Sequence, residues 1–322
     1  MARAEQIKAL IRCHAEGDDT RFYAVAMQVA AQAARTGHGA LAQDLRDLVD
    51  QVRTEHVRPP KPIPLAQPRG ELAGLLTASY PRTRLADMSL PPDLQARLDR
   101  VLHEQRERDR LRSYGFAPQR KLLLVGPPGT GKTMTAAALA GELGLPLFTI
   151  QLDGLITRFL GETAAKLRLI FDAIASSRGV YFFDEFDALG SQRGAGQDVG
   201  EIRRVLNSFL QFLEQDDSDS LTVGATNHVG LLDRALFRRF DAVIEYGMPS
   251  AEVALQVMQA RLALLDTRAV DWSALSAAAG LSHAELTQAC AQVAKDALLG
   301  DTDVLRTEAL QAALLDRHTM RP

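Results

Sequence analysis

From residue 121 onward, short apolar runs alternate with stretches whose apolar positions recur every three to four residues. KLLLV (121–125), LFTIQ (147–151), VYFFD (180–184), LTVGA (221–225) and VIEY (243–246) read as strands. Near-continuous apolar strands separated by helical patterns predict a parallel sheet buried on both faces, a doubly wound α/β arrangement. After Pro249 the pattern is helical and alanine-rich to the end, which predicts a small helical lid over 249–322. Upstream, Ile7, Leu10 and Ile11, then Phe22, Val25, Ala26 and Val29, then Leu41, Leu45, Leu48 and Val52 form three stripes at helical spacing. Asp18-Asp19-Thr20 and Gly37-His38-Gly39 supply the breaks, so 1–56 reads as a small three-helix domain.

Most of the 14 prolines fall between 57 and 93, beginning HVRPPKPIPLAQP. Proline at that density favours extended chain, so 57–88 reads as a linker. One mixed-charge helix is expected from Leu94 to Arg112, with Glu104 and Arg108 paired at i, i+4 on a solvated face. No internal repeat appears, which leaves a single module over 89–248 ahead of the lid.

Composition narrows the function. The 322 residues are 46% hydrophobic and 24% charged, with a mean hydropathy of -0.09, as in ordinary water-soluble domains. A formal charge of -3 and a pI near 6.2 argue against wholesale nucleic-acid binding. Cys13 and Cys290 lie far apart without metal-ligand company, which predicts a reducing, cytoplasmic setting and neither disulfide nor zinc. The N-terminus reads as no secretory signal, and no run of about 18 apolar residues predicts a membrane span.

The chemistry sits between 126 and 246. Gly126-Pro127-Pro128-Gly129-Thr130-Gly131-Lys132-Thr133 follows a predicted strand and opens a predicted helix. Glycines at this spacing let backbone N–H groups turn onto phosphates, and the helix N-terminus adds its positive end. Lys132 is expected at the β- and γ-phosphates and the Thr133 hydroxyl at magnesium. VYFFDEFD then ends an apolar strand in two acids. Asp184 is the expected second magnesium ligand and Glu185 the group that polarises the attacking water. ATP and Mg2+ are the implied substrate and ion.

These motifs resemble those of AAA+ ATPases, P-loop NTPases with a large α/β domain and helical lid. The likeness covers about 89 to 299 and is nearest to the katanin and spastin type. It implies further roles. Asn227, closing Gly224-Ala225-Thr226-Asn227, matches the sensor that touches the γ-phosphate or the water. Arg238 and Arg239, in LLDRALFRRFD, match arginine fingers that complete the neighbouring subunit's site. Arg158, Phe159 and Leu160, ahead of Gly161-Glu162, match a pore loop that grips an extended polypeptide, and 191–200 a second pore loop. In GLSHAEL, Ala284 matches a nucleotide contact of the lid, whereas His283 replaces the family's glycine.

The resemblance therefore implies a homo-oligomeric, hexameric ring that remodels a protein client. Two alternatives remain at this point. One is an ATP switch that controls a partner enzyme such as a protease. The other is a nucleic-acid motor, which the acidic pI and the pore-loop pattern disfavour.

Overall fold

The computed structural model describes residues 70–155, 160–185, 199–228, 237–275, 278–300, 302 and 304–320, with Val29, Gln43 and Pro68. The chain divides into two units, Met1–Pro64 and Leu65–Pro322, and the sheet and lid belong to the second. Apart from Val29 and Gln43, both helical, the three helices expected over 1–56 lie outside the described residues.

Six strands form one sheet: β1 (Leu76–Ser79), β2 (Lys121–Val125), β3 (Leu147–Ile150), β4 (Val180–Phe183), β5 (Leu221–Thr226) and β6 (Ala242–Glu245). Their order is β1-β3-β4-β5-β2-β6. All neighbours are parallel except β1, which runs antiparallel to β3. The α-helices among the unit's described residues are α1 (Pro92–Arg106), α2 (Arg108–Ser113), α3 (Lys132–Leu143), α4 (Leu152–Leu155), α5 (Leu160–Ser176), α6 (Val199–Gln215), α7 (Ala251–Arg261), α8 (His283–Leu299) and α9 (Thr307–Thr319).

The period-2 geometry of a strand divides each apolar run between two cores. Leu123, Val125, Tyr181 and Phe183 face one core, completed by Leu167, Ile170 and Ile174 of α5 and Phe209 and Leu213 of α6. Leu122, Leu124, Phe182 and Val223 face the other, completed by Leu98 and Val101 of α1 and Leu139 of α3. Phe183 meets Phe209 edge-on, with ring centroids 5.0 Å apart. Every residue of β2, β4 and β5 is buried, as a sheet covered on both faces requires. The lid has its own core, in which Leu281, Leu286, Leu305, Leu310 and Leu314 are almost wholly shielded.

Two sequence expectations change. Residues 70–88, placed in the linker, are built into the sheet unit through β1 and the buried Leu75, Leu76 and Leu85. The cause is local: an edge strand tolerates flanking prolines, and LTAS is too short to stand out from them. The helix expected over Leu94–Arg112 breaks at Glu107 into α1 and α2. Glu104 pairs with Arg100 at 2.9 Å and accepts from the Gln119 N–H at 2.9 Å, so it holds the approach to β2 and not Arg108.

The same segment backs onto α3. Arg84 donates to the Gly141 carbonyl at 2.6 Å, and a Cβ at Gly141 would lie 2.1 Å from the Thr83 carbonyl oxygen. Helix propensity alone favours alanine there by about 1 kcal/mol. Overpacking against backbone costs about 1–3 kcal/mol and should win. Gly141→Ala is therefore expected to lower the free energy of urea unfolding by up to about 2 kcal/mol. A stabilised variant would show that 81–84 does not pack on this helix.

Candidate active site

Strands β4, β5 and β2 are parallel neighbours, so their carboxyl ends open on one edge of the sheet. That edge of an open α/β sheet is where ligands bind. Residues 126–133 leave β2, Asp184 and Glu185 leave β4, and Asn227 leaves β5. Three independently read motifs thus meet at one place.

The loop after β2 has the conformation its glycines permit. Gly126, Gly129 and Gly131 take φ of 148°, 74° and 104°, values that strain any residue with a Cβ. Gly126 has a second reason to lack one: its Cβ would sit 2.2 Å from the Tyr246 carbonyl oxygen. Thr130 Oγ1 donates to the Pro127 carbonyl at 2.8 Å, which tightens the turn. Lys132, only 7% exposed, folds back so that Nζ donates to the carbonyls of Gly126 and Pro127 at 2.8 and 2.7 Å. Its ammonium is thereby held inside the loop that would wrap phosphates.

Thr133 Oγ1 donates to Asp184 Oδ2 at 3.0 Å, and Asp184 Oδ1 accepts from the Glu185 N–H at 2.9 Å. Glu185 is exposed and has a φ of 49°, the one positive value outside glycine among the described residues. Such a conformation costs of order 1–3 kcal/mol and persists where the surroundings impose it.

A cavity of about 540 Å³ joins these groups. Its floor is Pro128–Thr133, with Asp184, Glu185 and Asn227 at one wall. Met88, Ser89 and Leu90 form another, and α7 and α8 close it with Val257, Arg261, His283, Ala284 and Gln288. The lid touches the loop directly: the Ala284 N–H donates to the Gly129 carbonyl at 3.0 Å. Ser282 caps α8 by accepting from the Glu285 N–H, and Glu285 returns the bond to the Ser282 N–H at 2.7 Å. Burial lowers the His283 pKa, the bond to the Ser89 carbonyl opposing it. Burial also pushes the Tyr246 hydroxyl up to about 12, and it shares a 2.6 Å hydrogen bond with Thr135.

The donor set suits a phosphate–magnesium pair. Mg2+ takes one or two protein oxygens and completes its shell with phosphate and water. A hydroxyl and a carboxylate already in contact, beside a buried ammonium and a glycine-lined turn, meet that requirement.

Other expected residues stand apart. Arg158 and Phe159 lie outside the described residues, and Leu160 opens α5 without a described side chain. Residues 191–198 and 231–236 are also outside. Arg238 is exposed, Arg239 pairs with Glu214 across the surface, and neither lines the cavity. Sequence reasoning missed Met88, Ser89, Leu90, Val257 and Arg261. Gln288 carried a usable signal, since it stands one helical turn beyond Ala284.

Residues 122–248 match the family described as "ATPase family associated with various cellular activities (AAA)". The whole chain is 33% identical to an uncharacterized AAA family ATPase, y4kL, of Sinorhizobium fredii, covering 97% of that protein. Two relatives match over part of their length. ATP-dependent zinc metalloprotease FtsH 4 of Sphaerobacter thermophilus is 35% identical over 66% of this chain and 34% of its own. ATPase family gene 2 protein homolog A of Homo sapiens is 43% identical over 46% of this chain and 17% of its own.

Gly126→Ala tests whether the close approach to Tyr246 shapes the loop. The added methyl must push β2 and β6 apart or unwind the turn, and small displacements at a phosphate site are costly. Nucleotide affinity measured by calorimetry should fall about tenfold or more. Unchanged affinity would show that the loop adapts freely.

Proposed function

This chain belongs to the AAA family of ATPases and hydrolyses ATP, and we propose that it does so as one subunit of a hexameric ring acting on a protein client. In this reading Lys132 and the N–H groups of 126–133 hold the β- and γ-phosphates. Thr133 and Asp184 carry Mg2+, which when bound neutralises charge on the transferred phosphoryl group. Glu185 accepts a hydrogen bond from the attacking water and raises its nucleophilicity, while Asn227 orients that water or the γ-phosphate. Ala284 positions the lid on the loop. Arg158, Phe159 and Leu160 would line the pore and grip the client.

The placement of Arg238 and Arg239 carries the ring reading. They precede β6, and Asp241 beside them accepts from the N–H groups of Arg120 and Lys121 at 2.8 and 2.9 Å. That is the start of β2, whereas the phosphate loop follows its end. A strand of this length separates the two by roughly 13 Å, so these guanidiniums do not reach their own chain's site. The Arg239–Glu214 pair is a surface contact of a kind worth about 0–1 kcal/mol, so a neighbour's phosphate can displace it. An arginine supplied in trans contributes a factor of about 10³–10⁵ to phosphoryl transfer.

The similarity to an ATP-dependent zinc metalloprotease, a protein-cleaving enzyme by its name, supports a protein client over nucleic acid. The switch reading uses the same site and differs in whether hydrolysis does work on the partner.

Complementation between variants tests the ring. Arg239→Ala keeps its own phosphate loop, and Lys132→Ala keeps its arginines, so each alone should be nearly inactive. Mixed under conditions of subunit exchange, they form interfaces with one working loop and one working finger. ATP turnover should then exceed the weighted sum of the two and rise with protein concentration. Full activity of Arg239→Ala alone at every concentration would make the arginine structural and remove the argument.

A further inference from the structure

Hydrogen bonds tie the lid to the large domain beside the cavity, and one of them is made by a side chain particular to this sequence. The first is the backbone bond from Ala284 to Gly129, which any residue could make. The second is the His283 ring, whose Nε2 lies 3.0 Å from the Ser89 carbonyl oxygen and so joins the lid to the segment before α1, both residues lining the cavity. A carbonyl only accepts, so Nε2 carries the proton and Nδ1 is the bare nitrogen of the neutral ring. Burial favours that neutral form. Nδ1 itself is buried without a partner. Among the described residues two other side-chain atoms share that state, Arg108 Nε and Thr222 Oγ1, and neither residue lines this cavity.

An unsatisfied buried nitrogen is a cost, and glycine at 283 would avoid it. The ring's return is the bond to Ser89. We propose that His283 is a positioning residue, a side-chain clasp that holds the lid closed against the large domain and so prolongs the stay of the nucleotide. It rests on the reading of this cavity as the nucleotide site. Ser89 and its neighbours Met88 and Leu90 line the cavity from the large domain, and Val257 and Ala260 line it from the lid. A bond joining the two raises the closed fraction before ligand arrives, and apparent affinity rises with that fraction.

The test separates the donor from the bulk of the ring. Release of a fluorescent ADP analogue, chased with excess ATP, is timed for wild type, His283→Ala, His283→Gln and His283→Asn. A glutamine amide can place an N–H where Nε2 stands, and the shorter asparagine cannot. His283→Ala and His283→Asn should release about fivefold faster, and His283→Gln should stay within about twofold of wild type. Thermal melting identifies any unfolded variant, and the Gln–Asn pair still decides the question if alanine does not fold. Release from His283→Asn at the wild-type rate, or from His283→Gln as fast as from His283→Asn, would overturn the clasp. A wild-type protein that binds no nucleotide would overturn the site reading and the clasp with it.

Discussion

The Thr133 hydroxyl meets the Asp184 carboxylate because β2 and β4 run parallel on either side of β5 and end at the same edge. That constraint organises the molecule. Parallel strands require crossover connections, the crossovers place α3, α5 and α6 on the two faces, and both faces must then be apolar. The five consecutive buried residues of β2 follow from a site that needs its phosphate loop at the end of a fully covered strand. The other face of the bargain is steric. Pairing β6 against β2 brings the Tyr246 carbonyl so near Gly126 that no side chain fits, so sheet packing and loop geometry are fixed together.

The lid depends on the same loop. A Cβ at Gly129 would lie 2.7 Å from Ser282 Oγ and 3.0 Å from the Ala284 Cβ. The start of α8 is therefore seated on the phosphate loop, with its first turn fixed by the Ser282–Glu285 capping box. A change in the loop on binding phosphate cannot leave that helix end untouched. This contact gives a physical route from loop conformation to lid position.

Much of this was legible in the amino-acid order. Of the five parallel strands, β2, β4 and β5 stood out most because each is an apolar run buried throughout, and a run of that kind has few other uses. The phosphate loop was legible because glycine spacing, strand and helix had to coincide. Strand β1 was hidden among prolines, since an edge strand of four residues leaves too weak a pattern to outweigh them. The break at Glu107 falls just after Glu104, whose carboxylate accepts from the Gln119 N–H, a tertiary bond that helical spacing does not encode. The walls of the cavity come from segments distant in sequence, so Ser89 and Val257 gave no local signal. His283 was visible as a departure from the family's glycine, but its bond to Ser89 emerges only with the lid in place.

The central claim is that Glu185, held at a strained backbone angle beside Asp184, activates the water that cleaves ATP. It is tested most directly by measuring ATP binding and ATP turnover on the same preparation of Glu185→Gln. The substitution removes the base and leaves Lys132, Thr133 and Asp184 in place. Binding should remain within about threefold of wild type, and turnover should fall by about 10²–10⁴. Turnover equal to that of the wild type would contradict the account.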